Sequence, residues 1–168
     1  MKKSFLYIIF LLLFFASYSQ KECGPEFFDK YTNQRYGTFI GDFTFVTAEN
    51  KEEVRKLSSL EFDSIYVLFY DPFCEHCKQE IKNLKKDKGL KKALRENTLL
   101  ILTIPPDIDF DVWEKEVKRL PKEWMNAYSF ENERIIKQLL WKVPELFVLD
   151  REKRVKYINM YRENLDEE

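Results

Sequence analysis

The sequence predicts an α/β fold, a three-layer sandwich whose mixed central sheet carries helices on both faces. Three observations lead there. Residues 65–70 and 98–104 are short, almost continuously apolar runs, as strands buried on both faces must be. Segments of helical spacing lie between the strand-like runs, and alternation of that kind implies parallel pairing. The last two strand-like runs are joined by Asp150-Arg151-Glu152-Lys153, a hairpin that adds an antiparallel edge.

Taken in order, residues 43–47 alternate and are rich in aromatic and β-branched side chains, which marks a first strand. Asn50 with Glu53 three residues on is a helix-start pattern, and Val54, Leu57 and Leu60 follow at helical spacing. Asp71, Pro72 and Phe73 break the strand at 65–70. A helix then begins near Cys74 and carries Cys77, Ile81 and Leu84 on one face. Gly89 interrupts it, and 90–96 reads as a second helical piece. The strand at 98–104 is closed by Pro105 and Pro106. Phe110, Trp113, Val117 and Leu120 space an amphipathic helix that Pro121 stops. Residues 124–129 read as a short strand, and Ile135, Ile136, Leu139 and Leu140 as one more helix. The hairpin strands are 145–149 and 154–158.

Composition bounds the function. The chain has 168 residues, 45% of them hydrophobic and 34% charged, with a net charge of -1. That balance supports one packed domain, argues against disorder, and gives no field for nucleic acid. At the N-terminus, Lys2 and Lys3 precede an apolar run at 5–16 and the small residues Ser17 and Ser19. This is the pattern of a secretory signal peptide cleaved after Ser19, and the run is too short for a comfortable membrane span. Cys23 is preceded by Gln20, Lys21 and Glu22, which does not fit a lipid-attachment cysteine. The expected organisation is a signal peptide at 1–19, a loosely ordered lead-in at 20–37, one domain at 38–159 and an acidic tail at 160–168. The mature protein is expected to be exported, most simply to the periplasm, without a stable membrane anchor and where disulfides persist.

Chemistry concentrates in Cys74-Glu75-His76-Cys77, where a buried strand ends and a helix begins. Unpaired backbone N–H groups and the positive end of the helix dipole stabilise a thiolate on Cys74, and the thiolate is the attacking species. Cys77, one turn deeper on the apolar face, is expected to be shielded and to act second. Cys74 would attack a substrate disulfide, and Cys77 would displace the bound thiol, or the steps would run in reverse. A zinc site needs about four ligands, and only Cys23 and His76 could add to the pair. Haem attachment needs a histidine directly after the second cysteine, where Lys78 stands; a Cys–His hydrolase needs a remote histidine, and His76 is the only one in the chain. A peroxidase would have threonine or serine where Asp71 stands. No metal and no cofactor are expected.

These residues resemble the thioredoxin-like superfamily, and most closely its exported TlpA/ResA-like thiol–disulfide oxidoreductases. The resemblance lies in Phe73 before the cysteine motif, in Trp141-Lys142-Val143-Pro144 leading into a strand, and in the strand and helix between Trp124 and Leu140. It covers roughly residues 38–159. It implies a cis Pro144 facing Cys74, with Val143 offering its backbone to an extended substrate and Phe73 beside it. It implies a proton-handling role for Glu80, three residues after Cys77, whose other reading is a solvated partner of Lys78 and Lys82 to Lys86. Glu75 and His76 tune the redox poise. The branch implies a reductant whereas His76 leans towards an oxidant, so direction stays open, with a lean towards reductase. The implied partners are protein thiols and disulfides and an unidentified redox donor. A second reading keeps the fold and a structural Cys74–Cys77 bridge in a binding module without turnover. The superfamily usually ends in a helix, for which little chain remains after residue 159. A short or absent helix would leave one sheet face thinly covered and open to a partner.

Overall fold

The structure is a computed structural model and describes residues 35–160. The proposed signal peptide, most of the lead-in, Cys23 and residues 161–168 lie outside the described residues. The elements are β1 (Thr44–Thr47), β2 (Arg55–Lys56), β3 (Ser64–Phe69), α1 (Glu75–Lys86), α2 (Lys88–Arg95), β4 (Leu99–Ile104), α3 (Phe110–Glu116), β5 (Met125–Tyr128), α4 (Asn132–Gln138), β6 (Glu145–Asp150) and β7 (Val155–Met160). They form a mixed α/β architecture with one seven-stranded sheet in the order β2-β1-β5-β4-β3-β6-β7.

The two apolar runs lie at the centre. β3 and β4 pair in parallel over six residues, from Ser64 opposite Leu99 to Phe69 opposite Ile104. All six residues of β4 are buried, which is why that sequence shows no alternation. β6 joins β3 antiparallel, with Phe69 opposite Glu145 and Ser64 opposite Asp150. This register places the start of β6 level with the end of β3, so the loops before β6 and after β3 emerge at one end of the sheet. β7 follows antiparallel, with a bulge at Val148/Leu149. Its outer side is partly covered: Gly37 N–H donates to Val155 O, Val155 N–H to Thr38 O and Ile40 N–H to Lys153 O.

The sheet divides the core. On one face Leu68, Tyr70, Leu99, Ile101 and Leu146 pack with Cys77 and Leu84 of α1 and Trp113 of α3 in a single cluster. On the other, Phe43, Phe69 and Phe147 meet at ring-centroid distances of about 6 Å. The Arg35 guanidinium lies over Phe147 and donates to Leu139 O and Gln138 O, which ties α4 to this second face. A buried polar link joins β4 and β5: Thr103 Oγ1 donates to Asn126 Oδ1 at 2.9 Å, and Asn126 Nδ2 donates to Pro121 O.

Three expectations need correction. Residues 50–60 form no α-helix but β2 and a 3-10 turn at Leu57–Ser59. The Asn50 and Glu53 pattern closes a turn instead: Asn50 Oδ1 accepts from Glu52 N–H and Asn50 Nδ2 donates to Glu53. Leu57 N–H reaches Phe43 O, Lys56 pairs with Thr44, and Leu57 and Leu60 are buried there without a helix. Second, α1 and α2 are separated at Asp87 rather than Gly89. Asp87 caps both helices, its extended backbone ending α1 and its Oδ1 accepting from Leu90 N–H. Third, β1 is antiparallel to β5 rather than parallel, because no helical crossover links β1 to the sheet centre.

Candidate redox site

The site is built on the turn from β3 into α1. Asp71 Oδ1 accepts from Phe73 N–H at 2.7 Å, and Cys74 N–H donates to Asp71 O at 3.2 Å, so three residues reverse the chain. Cys74 is the N-cap of α1, extended at φ -79° and ψ 125°, and its carbonyl accepts from Lys78 N–H. It is half-buried at the helix tip, whereas Cys77 is completely buried. Both are thiols.

Their environments differ for identifiable reasons. Burial pushes the Cys77 thiol up to about 12; the Asp71 N–H, 3.3 Å from its Sγ, pulls the other way, and the hydrogen-bonded Cys74 sulfur adds to the rise. The Cys77 thiol is therefore protonated at neutral pH. A stability effect follows. The folded value lies above the ordinary one near 9, so native Cys77 holds its proton where the unfolded chain has lost it. The contribution is fully present below pH 9 and is lost as pH climbs towards 12. Denaturant midpoints of the reduced protein are expected to fall more steeply between pH 8.5 and 10.5 than those of Cys77→Ser. Tyr70, also raised chiefly by burial, declines alike in both and cancels. Parallel slopes would show that Cys77 is not held protonated by the fold.

The remaining sequence-named residues divide. Glu75 and His76 are exposed, and Glu75 pairs with Lys78 at 2.6 Å, an exposed contact of small energetic weight. Glu80 is half-buried and is met by Asn159 of β7, whose Nδ2 donates to its Oε1 at 3.3 Å. Phe73 is 60% exposed beside Cys74, an open apolar surface at the site. Val143 packs against the same core cluster as Cys74 and Cys77, Pro144 is buried, and the Val143–Pro144 peptide is cis. Three contributors escaped sequence reasoning. Asp71 holds Cys77 through its backbone N–H, which no side-chain pattern can reveal. Asn159 sits far away in sequence. Glu145, fully buried, accepts from Trp141 N–H at 2.9 Å and so closes the loop that carries Val143 and Pro144. A glutamate opening an otherwise apolar strand was the available signal for it.

Among solved structures, a thioredoxin-like protein from Bacteroides caccae matches with 29% sequence identity and a TM-score of 0.69, over 81% of this chain and 49% of that one. The fold is thioredoxin-like. This chain spans about half the length of that protein. A conserved protein of unknown function from Bacteroides fragilis matches at 26% identity and a TM-score of 0.66, over 73% of this chain and 89% of that one. The thioredoxin domain of a thiol-disulfide oxidoreductase from Bacteroides vulgatus has 15% identity and a TM-score of 0.64, over 74% and 88% of the two chains. At that identity the likeness is one of fold. No family model and no curated protein matches the chain. The β3–β6 register puts the helix carrying Cys74 and the loop carrying Pro144 at the same end of the sheet.

Proposed function

We propose that this chain is an exported thiol–disulfide oxidoreductase that exchanges protein disulfides through Cys74 and Cys77, working mainly as a reductant. One observation carries the reading: a half-buried thiol heads α1 three residues before a second, completely buried thiol, and both pack in one core cluster. Cys74, reacting as the thiolate, attacks the substrate disulfide and expels one substrate thiolate. Cys77 gives up its proton to Glu80 and attacks Cys74 Sγ. The second substrate thiol then leaves, and a Cys74–Cys77 disulfide remains. Phe73 offers an apolar contact, Val143 an extended backbone for the substrate strand, and buried Pro144 fixes that loop. Glu75 and His76 set the poise. The cycle uses no metal or cofactor and is completed by a second protein dithiol that returns two electrons. The basic and apolar pattern at residues 2–16 supports export, to the periplasm in this reading.

The test is a redox titration of the purified protein against glutathione buffers, read by alkylation of the two cysteines. A single two-electron transition is expected, at a potential in or below the glutaredoxin range for a reductant. A protein whose reduced thiols are unreactive at neutral pH would not carry out this chemistry.

A further inference from the structure

We infer that Asn159 positions Glu80 to take the proton of Cys77, a reading that rests on the role given to Glu80 above. Asn159 lies opposite Leu146 in the β6–β7 register, and Leu146 packs in the cluster that holds Cys77 and Leu84. Asn159 therefore stands on the sheet face that α1 covers. Its Nδ2 donates to Glu80 Oε1 at 3.3 Å, joining half-buried partners 79 residues apart. The neighbouring lysine that competes for acidic partners is engaged elsewhere, because Lys78 pairs with Glu75. A glutamate one turn from Cys77 has several rotatable bonds and would otherwise sweep out towards solvent. An amide that donates to one carboxylate oxygen holds the side chain over the sheet and leaves Oε2 to receive the proton.

The step balances. Cys77 S–H transfers its proton to Glu80, and the sulfur electron pair forms the bond to Cys74 Sγ. The bond between Cys74 and the substrate sulfur breaks, and that sulfur leaves with the electron pair. Glu80 then returns the proton to the departing thiolate. Two protein thiols become one disulfide while one substrate disulfide becomes two thiols.

The experiment uses an aromatic disulfide, 5,5′-dithiobis(2-nitrobenzoate), as the probe. The first release of thionitrobenzoate reports attack by Cys74, and the second reports resolution by Cys77. Asn159→Leu is expected to leave the first phase within about twofold and to slow the second about fivefold or more, within the range of lost general-base assistance. Asn159→Ser, which keeps a donor, is expected to recover part of that loss. In a Glu80→Gln background the same Asn159→Leu change is expected to alter the second phase by less than about twofold, because coupled residues are non-additive. Equal slowing in both backgrounds would overturn the inference and reduce Asn159 to packing. A Glu80→Gln protein with a normal second phase would instead remove the role of Glu80, and the inference with it. If Asn159→Leu melts early, the uncharged Asn159→Ala removes the same donor, with the same outcomes.

Discussion

Cys74→Ser is expected to abolish disulfide reduction, with a loss on the order of a thousandfold or more in reduction of insulin by dithiothreitol. The magnitude follows from the chemistry of exchange. A serine hydroxyl stays protonated at neutral pH and cannot form a stable bond to sulfur, so neither half of the cycle has a substitute route. Position strengthens the expectation. Cys77 is completely buried and its thiol is pushed up to about 12, so it cannot replace Cys74 as the attacking group. The companion variant gives a different result. Cys77→Ser is expected to keep the first attack and to accumulate the Cys74–substrate mixed disulfide, visible as added mass that a reductant removes. A Cys74→Ser protein that still reduced insulin at the wild-type rate would overturn the assignment of roles.

What could be read from the sequence follows a physical division. Elements specified by their own burial were legible. β4 and most of β3 are apolar because both faces are covered there, and α1 shows its inward stripe at Cys77, Leu84 and the partly buried Ile81. The cysteine motif was legible because its meaning depends only on a strand end followed by a helix start. Elements specified by distant partners were not. The segment at 50–60 has helical spacing at Val54, Leu57 and Leu60, yet Val54 is 64% exposed while pairing with β1 decides the backbone. Asp87 outcompeted Gly89 as a helix boundary because its backbone N–H closes α1 while its side chain caps α2. The site shows the same division. Glu80 could be named from its offset to Cys77, but its environment could not. Spacing alone offered Lys78 and Lys82 to Lys86 as partners, whereas the fold supplied Asn159 from the far edge of the sheet.

The largest stability effect is expected at Trp113. Its side chain is fully buried, with Phe110 and Tyr128 at centroid distances of 5.3 and 5.5 Å. Trp113→Ala is expected to cost about 3–5 kcal/mol by chemical denaturation, from lost transfer energy and the cavity left behind. Set against the roughly 5–15 kcal/mol that holds a domain together, this is a large share. Trp113→Phe should cost much less, because it also removes the indole N–H, which is buried without a partner among the described residues. The consequence reaches the redox site, since Trp113 and Cys77 belong to one cluster. Burial is the main reason the Cys77 thiol is pushed up to about 12, so water entering a cavity at 113 should bring it down. Alkylation of Cys77 at pH 8 in reduced Cys74→Ser/Trp113→Ala should therefore run faster than in Cys74→Ser, while Trp113→Phe changes it little. Unchanged alkylation in a clearly destabilised protein would show that the thiol is shielded by α1 and the Asp71 turn alone, and not by the aromatic layer packed beside it.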